Sequence, residues 1–395
     1  MNVTITPTRL SGVIEPPPSK SQAHRLLIAA ALAGGEGRIS NLADSQDILA
    51  TKACIAALRE PCDGLPRLDC GESGSTLRFF IPIALVLRGG GVFTGRGRLM
   101  ERPQKPYFDL FDRIGVNYTL ENGTLTVEGK LVPGTYELPG DISSQFITGL
   151  LYALPLLAGD SDILLTTKLE SAGYVDMTLD VLERHGVTVQ PIPGGWHVPG
   201  GWHVPGGQTY RAVDAAVEAD WSQAGFWYAA AGIDNDVTIA GMDLGSRQGD
   251  RKILDYYRQL CIGGEAVLDV ADCPDLVPPL AAHAALRNGR TRIVNAGRLR
   301  IKESDRLAAV TQVLSAMGAR VEEGPDSLTI TGQEQLAGGV TVDSHNDHRI
   351  AMMAAIAATC CEKPVTITGA ECVKKSYPDF WEDYEELGGV ITKED

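Results

Sequence analysis

The sequence predicts an α/β protein with two domains, and three observations lead to this prediction. First, short runs rich in β-branched residues alternate along the chain with longer apolar runs typical of buried helices. Second, the β-type runs recur with similar endings, which indicates internal repetition. Third, 395 residues exceed what one hydrophobic core usually covers, so two domains are the default expectation.

The predicted strands share a composition of Val, Ile, Leu, Phe and Thr. They lie at residues 3–6, 92–95, 125–127, 163–166, 237–240, 291–294, 328–331 and 365–368. The endings Thr-Gly at 331–332 and Glu-Gly at 128–129 suggest hairpins that return after a helix. We therefore expect mixed sheets and not purely parallel ones.

Six predicted helices are too apolar to face water, and each begins with charged or hydroxyl side chains. Their polar starts are residues 18–25, 71–78, 141–145, 220–224, 298–306 and 347–349. A helix N-terminus has unpaired N–H groups that attract anions, and Lys or Arg side chains there strengthen the attraction. Taken alone, each start is equally an ordinary capped, buried helix. Together they predict helix ends that converge on one polyanionic ligand.

The densest of these starts is residues 298–306, which holds four fixed cations and two carboxylates in nine positions. Its cations would reinforce an anion site, and Ser304 or Asp305 can cap the helix that follows. Glu303, a carboxylate among cations, is a candidate general acid/base. The alternative is a solvated, salt-bridged helix start.

Composition restricts the kinds of partner. The net charge of −15 argues against a nucleic-acid partner, which needs a broad basic surface, so we expect a small target. The eight cysteines include no CxxC pair, and Cys360 and Cys361 lie in an apolar run that we interpret as helical, so reduced structural thiols are expected. Without a signal-peptide pattern or an apolar run of membrane-spanning length, a soluble cytoplasmic protein with no membrane partner is expected.

One segment is duplicated. Gly-Gly-Trp-His-Val-Pro at 194–199 is followed at once by the same six residues at 200–205. Two Trp-His copies could suggest metal or aromatic binding, but a lengthened hairpin or a loop duplication at an exposed turn is the preferred interpretation. We assign the segment no catalytic role.

Short polar motifs follow one another in a single order along nearly the whole chain. They are residues 19–25, 44–47, 71–78, 101–103, 143–145, Asp220, 248–250, Asp275, 302–306, 347–349 and 375–378. Each motif is weak alone, but the ordered set resembles the 5-enolpyruvylshikimate-3-phosphate (EPSP) synthases, the 3-phosphoshikimate 1-carboxyvinyltransferases of the shikimate pathway.

The resemblance implies the two-domain enolpyruvyl transferase fold, in which each domain contains three βαβαββ repeats with helices inside and mixed sheets outside. Domain one would be discontinuous, with residues 1–18 and 219–395, and domain two would span residues 19–218. The active site would lie in the interdomain cleft.

The resemblance also implies the reaction and its residues. The family transfers the enolpyruvyl group of phosphoenolpyruvate to the 5-hydroxyl of shikimate 3-phosphate by addition and elimination, releases phosphate, and uses no metal or other cofactor. The residues that would bind shikimate 3-phosphate are Lys20, Ser21, Arg25, Ser143, Ser144, Gln145, Ser171, Tyr174, Asp275 and Lys302. Those that would bind phosphoenolpyruvate are Lys20, Gly74, Arg102, Gln145, Arg306, Arg349 and Lys375.

The catalytic set would consist of Asp275 and Lys20, which are also in these lists, and Glu303. Asp275 would take the proton of the 5-hydroxyl, Glu303 would exchange the proton at the methylene carbon, and Lys20 would complete the set. We expect a monomer whose partners are the two substrates. Glyphosate is expected to compete with phosphoenolpyruvate, although Glu72 and Phe79 depart from the family pattern in the loop that ends at Arg78.

Other interpretations stay open at this point. A sister enzyme, the UDP-N-acetylglucosamine enolpyruvyl transferase, shares the architecture but usually has a Pro-Gly-Cys loop, and none of Cys54, Cys62 and Cys70 lies in that context. A non-catalytic binder of phosphorylated metabolites would not need Asp275 and Glu303 together. A nucleotide enzyme is disfavoured because the chain has neither a Walker loop nor a Rossmann glycine pattern.

Overall fold

The computed structural model describes residues 1–35, 37–194 and 199–394. The chain divides into two compact units, which we call the discontinuous unit (Met1–Ser19 with Glu218–Asp395) and the continuous unit (Lys20–Val217). The chain passes from one unit to the other after Ser19 and again after Val217, and each of these unit boundaries lies one residue from the one that the resemblance implies. Among the residues described, no helix is both long and apolar enough to cross a membrane.

Helices and strands alternate along the described chain. The α-helices are α1 (Lys20–Leu32), α2 (Gln46–Arg59), α3 (Gly74–Arg88), α4 (Lys105–Ile114), α5 (Ser144–Ala153), α6 (Ala172–Arg184), α7 (Trp221–Ala231), α8 (Ile253–Cys261), α9 (Val277–Ala285), α10 (Arg306–Ala316), α11 (His348–Ala358) and α12 (Phe380–Glu386). The strands are β1 (Asn2–Thr6), β2 (Ser11–Ile14), β3 (Ile39–Ser40), β4 (Arg67–Asp69), β5 (Gly90–Thr94), β6 (Asn117–Glu121), β7 (Thr124–Glu128), β8 (Thr135–Leu138), β9 (Ser161–Leu165), β10 (Gln190–Ile192), β11 (Gly201–Val204), β12 (Ala215–Ala216), β13 (Asp236–Ile239), β14 (Gly264–Asp269), β15 (Gly289–Val294), β16 (Arg320–Glu323), β17 (Leu328–Thr331), β18 (Leu336–Gly338), β19 (Thr341–Asp343), β20 (Cys361–Lys363), β21 (Val365–Thr368) and β22 (Val390–Glu394). All the predicted strand runs overlap observed strands.

The continuous unit contains the βαβαββ pattern twice. In the first copy, β4-α3-β5-α4-β6-β7, the sheet order is β4-β5-β7-β6. Strand β5 pairs parallel with β4 and antiparallel with β7, so the closing hairpin covers the edge of the parallel pair. The second copy, β8-α5-β9-α6-β10-β11, has the same order and directions. The expectation of mixed sheets is confirmed.

The discontinuous unit repeats this topology. One copy is β14-α9-β15-α10-β16-β17, with sheet order β14-β15-β17-β16. In another, β19, α11, β21, α12 and β22 come from the end of the chain and β1 comes from its beginning. Strand β1 is antiparallel to β21 and to β22, so it occupies the place of the last strand of the pattern. This pairing explains why the N-terminal residues belong to the same unit as the C-terminal ones.

The third copy in each unit is shorter than the resemblance implies. It consists of a parallel pair, β12 with β3 in the continuous unit and β2 with β13 in the discontinuous unit, together with two helices. In the described chain, no strand lies in residues 60–66, between α2 and β4, or in residues 262–263, between α8 and β14. These connections leave no room for the closing hairpin that the other copies have.

Buried helices form the centre of each unit, as expected from their apolar sequences. Every residue of α11 is buried, and α3 and α5 are buried over most of their length. Helices α3 and α5 approach closely at Gly149, where a Cβ would collide with the Tyr107 hydroxyl and the Arg78 carbonyl oxygen. Glycine at this position therefore permits the packing that brings the N-terminal ends of the two helices together.

Two expectations about local structure are corrected. The second copy of the duplicated segment lies in a hairpin, as preferred, because it forms β11 and pairs antiparallel with β10, but it is not an exposed turn, because Trp202 and Val204 are buried. Most of the first copy, residues 195–198, lies outside the described residues. Cys360 and Cys361 lie beyond the end of α11, and Cys361 begins β20. All eight cysteines are free thiols.

Candidate active site

The six polar starts do precede buried helices, namely α1, α3, α5, α7, α10 and α11. In five of them a side-chain oxygen accepts a backbone N–H of the first turn, and these capping residues are Ser73, Ser143, Asp220, Asp305 and Asp347. Asp305, and not Ser304, caps α10, by accepting the N–H of Ala308 at 3.1 Å. Local capping thus fixes where these five helices begin and so which polar side chains lie at their N-terminal ends.

In the continuous unit, the predicted residue Lys20 opens α1 and faces a carboxylate. Its Nζ lies 2.9 Å from Asp47 Oδ2, and both side chains are largely shielded from solvent. Asp47 belongs to a motif of the resemblance, but no role was predicted for it. An ion pair in such surroundings fixes the ammonium more firmly than an exposed pair does.

Arg25 joins α1 to α6 and is 2% exposed. Its guanidinium donates to the Thr178 hydroxyl at 2.9 Å, to the Ser21 carbonyl at 2.7 Å and to the Tyr174 carbonyl at 2.9 Å. Ser171, the residue before α6, has the left-handed angles φ 58° and ψ 41°, which are uncommon outside glycine and recur at functional sites. Arg25 therefore orders the backbone on which Ser21, Ser171 and Tyr174 are placed.

Gln145 and Gly74 lie where α3 and α5 begin. The Gln145 carboxamide accepts from Arg78 Nη1 at 2.7 Å and donates to the Ser75 hydroxyl at 3.0 Å. Ser143 caps α5, and Ser144 is buried in its first turn. A Cβ on Gly74 would lie 2.7 Å from Arg102 Nη1, so the Arg102 guanidinium packs directly against this glycine.

A buried chain of hydrogen bonds connects the starts of α1, α2 and α3. His24 Nδ1 lies 2.7 Å from the Thr51 hydroxyl, which is 2.8 Å from the Thr76 hydroxyl. The Thr76 hydroxyl in turn donates to Ser73, the cap of α3, at 2.8 Å. Burial, with the nearby charges of Lys20 and Arg25, holds the pKa of His24 well below its usual value, so the ring is neutral. This chain fixes the spacing of helices that carry Lys20 and Gly74.

In the discontinuous unit, Arg306 is the centre of a charged cluster and is 1% exposed. Its guanidinium donates to Asp275 at 2.8 Å, to Glu303 at 2.6 Å and to Asp347 at 2.7 and 3.2 Å. The two carboxylates expected to transfer protons are thus bound to the same side chain. Burial disfavours the charged guanidinium, but the three carboxylates outweigh it and raise the pKa of Arg306.

Asp275 receives two more cations. Lys302 Nζ and Arg349 Nη2 each lie 3.3 Å from a carboxylate oxygen, and Arg349 also donates to the Asp275 backbone carbonyl at 3.1 Å. Burial opposes ionisation of Asp275, yet Arg349, Lys302 and Arg306 outweigh it and hold its pKa well below the usual value. Burial lowers the pKa of Lys302, and the nearby Asp275 offsets part of that effect.

The sequence did not assign Asp347 a role in the site beyond its motif. It is fully buried, caps α11, and accepts from Arg306 and from the Ser304 hydroxyl, the latter at 3.0 Å. Its position before Arg349 in an Asp-His-Arg helix start is the signal that could have identified it. Lys375, 4% exposed, donates to the Asn346 carbonyl at 2.6 Å beside the start of α11.

The structure thus brings the predicted residues together within each unit. In the continuous unit, Lys20, Arg25, Gly74 and Gln145 lie in the first two turns of connected helices, and Arg102 packs against Gly74. The discontinuous unit gathers Asp275, Lys302, Glu303, Arg306, Arg349 and Lys375. In the described residues, no group of three or more His, Cys, Asp or Glu side chains is arranged to hold a metal ion. The side chains of these two sets carry guanidinium, ammonium, carboxylate and amide groups.

Comparison with known proteins gives a consistent result. The family described as EPSP synthase (3-phosphoshikimate 1-carboxyvinyltransferase) matches residues 5–384. A 3-phosphoshikimate 1-carboxyvinyltransferase of Clostridium kluyveri is 45% identical over 424 residues, covering 99% of this chain and 98% of the relative. One from Clostridium perfringens is 42% identical over 427 residues, covering 99% of both.

Solved structures show the same fold. An EPSP synthase from Acinetobacter baumannii matches with a TM-score of 0.79 at 22% identity and covers 100% of both chains. The enolpyruvyl transferase NikO from Streptomyces tendae matches with a TM-score of 0.77 at 18% identity, covering 99% of this chain and 98% of that chain.

Proposed function

Because the chain belongs to the EPSP synthase (3-phosphoshikimate 1-carboxyvinyltransferase) family, its reaction is enolpyruvyl transfer from phosphoenolpyruvate to shikimate 3-phosphate, and we propose which residues perform it. The alternatives of a UDP-sugar enzyme and a non-catalytic binder are not favoured by these relatives. The observation that carries the proposal is the Arg306 guanidinium, which lies 2.8 Å from Asp275 and 2.6 Å from Glu303.

In the addition step, Asp275 accepts the proton of the 5-hydroxyl. Glu303, which takes up a proton when the anionic substrates bind, delivers that proton to the methylene carbon of phosphoenolpyruvate, and the new C–O bond forms at the adjacent carbon. In the elimination step a methyl proton returns to Glu303, the C–O bond to phosphate breaks, and phosphate leaves with the proton that Asp275 held. General acid/base groups of this kind typically contribute about 10²–10⁴-fold to the rate.

The cationic side chains of the discontinuous unit would bind the negatively charged phosphate and carboxylate groups of the substrates. In the substrate-free site, Lys302, Arg306 and Arg349 bear three positive charges, and Asp275, Glu303 and Asp347 bear three negative ones, so the cluster is balanced. A phosphate and a carboxylate placed against Arg306, Arg349 and Lys375 would compete with Asp275 for its cations. Because those cations hold the pKa of Asp275 low, their engagement by an anion makes Asp275 a stronger base.

We propose that the continuous unit supplies the rest of the site and that the two sets meet in a cleft between the units. Ser21, Ser143, Ser144, Ser171 and Tyr174 would bind shikimate 3-phosphate on the backbone ordered by Arg25. Lys20 and Arg102 would bind phosphoenolpyruvate beside Gly74, and Gln145 would contact both substrates. The expected monomer and cytoplasmic location stay predictions, and sedimentation velocity tests the first.

The experiment that tests the assignment is the kinetics of Asp275→Asn and Glu303→Gln. Phosphate release from phosphoenolpyruvate should require shikimate 3-phosphate, and UDP-N-acetylglucosamine should not replace it. Each variant should lower kcat by about 10²–10⁴-fold with a smaller effect on KM. Glu303→Gln should also stop solvent deuterium from entering the methylene group of phosphoenolpyruvate.

Asp272→Asn is the matched control, because Asp272 is exposed and lies three positions from Asp275. Its turnover should equal that of the wild type. Turnover near the wild-type value in Asp275→Asn or Glu303→Gln, with an unchanged pH profile, would show that the substituted residue does not transfer a proton.

A further inference from the structure

The Gln248 carboxamide binds residues that lie next to both unit boundaries, which follow Ser19 and Val217. Its Oε1 accepts from the Ser19 hydroxyl at 3.1 Å and from the Trp221 N–H at 3.0 Å. Its Nε2 donates to the Glu218 carboxylate at 2.9 Å and to the Ala219 carbonyl at 2.8 Å. All of these residues belong to the discontinuous unit, and Gln248 is buried in it.

These bonds use the full capacity of the side chain. A carboxamide has two acceptor positions on oxygen and two N–H donors, and here all four have partners. The Ser246 hydroxyl donates to the same Glu218 oxygen at 2.8 Å and accepts the Gln248 backbone N–H at 3.0 Å. The orientation of the amide is therefore fixed by its neighbours, and neither Glu nor Met could satisfy the same partners.

Backbone hydrogen bonds join the same two segments. The Ser19 N–H donates to the Glu218 carbonyl at 2.7 Å, and the Asp220 N–H donates to the Pro17 carbonyl at 2.8 Å. Residues 17–19 and 218–221 thus form one ladder with Gln248 bound at its side. The residue that follows Ser19 is Lys20, the first residue of α1.

We propose that Gln248 is a positioning residue for Lys20. By binding Ser19 to residues 218–221, it fixes the point from which α1 starts and hence the direction in which the Lys20 ammonium is presented. The inference rests on the proposed role of Lys20 in binding phosphoenolpyruvate. Displacement of a positioned group by about 1 Å can cost about 10²-fold in rate, so a residue that acts only through Lys20 can have a large effect.

Gln248→Glu tests the proposal, because it keeps the shape of the side chain and replaces both N–H donors. The new carboxylate would face the Glu218 carboxylate and the Ala219 carbonyl. We expect kcat/KM for phosphoenolpyruvate to fall by about tenfold or more. The loss relative to wild type should shrink as the pH is lowered, since protonation of the new carboxyl restores one donor. Gln259→Glu, on the exposed surface of α8, is the matched control and should behave as wild type.

A double-mutant cycle with Lys20→Met separates positioning from a general structural effect. If Gln248 acts through Lys20, Gln248→Glu should have little further effect in the Lys20→Met background. Ser19→Ala, which removes a single bond of the set, gives a milder variant that should show the same suppression even where Gln248→Glu fails to fold. Unfolding midpoints by circular dichroism establish that each variant is folded at the assay temperature.

The outcomes distinguish two failures. If Lys20→Met keeps wild-type turnover, the proposed function of Lys20 is wrong. The other outcome is that Lys20→Met lowers kcat/KM for phosphoenolpyruvate, but Gln248→Glu and Ser19→Ala lower it by the same factor whether or not Lys20 is present. Gln248 then does not act through Lys20, and the inference is overturned.

Discussion

Arg306 binds three carboxylates with one buried guanidinium, and this arrangement places both candidate proton-transfer groups beside the same cation. Asp275 and Glu303 share it with Asp347, which has no exposed surface. A buried ion pair that loses one partner leaves an uncompensated charge, at a cost of about 3–5 kcal/mol. Asp347 therefore serves the site indirectly, because it orients the Arg306 guanidinium toward the other two carboxylates.

Gly74→Ala is expected to alter the phosphoenolpyruvate position through Arg102. The added methyl would lie 2.7 Å from Arg102 Nη1 and 2.9 Å from its Cζ, closer than side chains tolerate, so the guanidinium must move. A bulkier competitor such as glyphosate should lose more binding free energy than the substrate does, with a difference of about 1–3 kcal/mol. The measurement is the inhibition constant of glyphosate relative to the Michaelis constant for phosphoenolpyruvate, in wild type and variant.

Two further variants give this prediction its controls. Gly297→Ala adds a methyl that meets no atom closer than 3.5 Å and should leave the ratio unchanged. In an Arg102→Lys background, Gly74→Ala should change this ratio less, since lysine has no guanidinium to collide with the added methyl. An undiminished effect there would mean that Gly74 acts by some route other than Arg102.

At the residue scale, the sequence predicted the types of group in the site better than their partners. The density of charge at residues 298–306 made the segment a candidate anion site and Glu303 a candidate general acid/base, and both stay predictions. The pairing of Arg306 with Asp347, 41 positions apart, and of Ser19 with Gln248, 229 positions apart, depends on tertiary packing. No local pattern encodes those distances, so Asp347 and Gln248 entered the motifs without a role.

At the scale of elements, the helix starts were predictable because capping is local. Ser73, Ser143, Asp220 and Asp347 each bond to an N–H two or three positions later, so the signal lies within one turn. Helix ends were harder to place. The apolar run that contains α11 extends to Cys361, but the helix itself ends at Ala358. Beyond it, the pairing of β20 with β18 overrides helical propensity.

Helix α9 carries a buried histidine that makes the discontinuous unit sensitive to acid. His283 packs so closely against Gly232 of the α7 end that a Cβ on the glycine would collide with its ring. Burial, and then the charge of Arg287, lowers the pKa of His283 from 6.5 to about 4. The folded state therefore binds a proton less readily than the unfolded state does.

The sign of the pH dependence follows from this shift. Above pH 6.5 the ring is neutral in both states, and between 6.5 and about 4 only the unfolded state is protonated, so stability falls as the pH falls. His283→Leu should remove about 3 kcal/mol of that loss, from about 1.4 kcal/mol per pKa unit. Urea unfolding of both proteins at several pH values measures it. Parallel curves for the two proteins would show that His283 does not contribute.

At the scale of the whole molecule, the sequence predicted repetition but not its incompleteness. Repeated β-type runs and apolar helices follow from local patterns, and the four complete copies in the described chain share one strand order. The missing hairpins are visible only when the copies are aligned by topology. The connections at residues 60–66 and 262–263 then prove too short for two strands, whereas α4 and β8 are separated by β6 and β7.

The shortened copies should be the least protected parts of their units. In a complete copy the second strand has a partner on each side, as β15 has in β14 and β17. In the shortened copy, β13 pairs only with β2 among the described strands, and β2 exposes three of its four residues. Fewer ladder hydrogen bonds and less buried apolar surface lower the free energy of local opening.

Hydrogen–deuterium exchange with peptide resolution tests this difference inside one unit. Peptides that cover β13 should exchange at least about tenfold faster than those that cover β15, which corresponds to about 1.4 kcal/mol in opening free energy. The comparison of β3 with β9 repeats the test in the continuous unit. Because both strands of each comparison belong to the same unit, global unfolding limits them equally. Equal protection of β13 and β15 would mean that helix packing alone, and not the closing hairpin, stabilises the strand pairs.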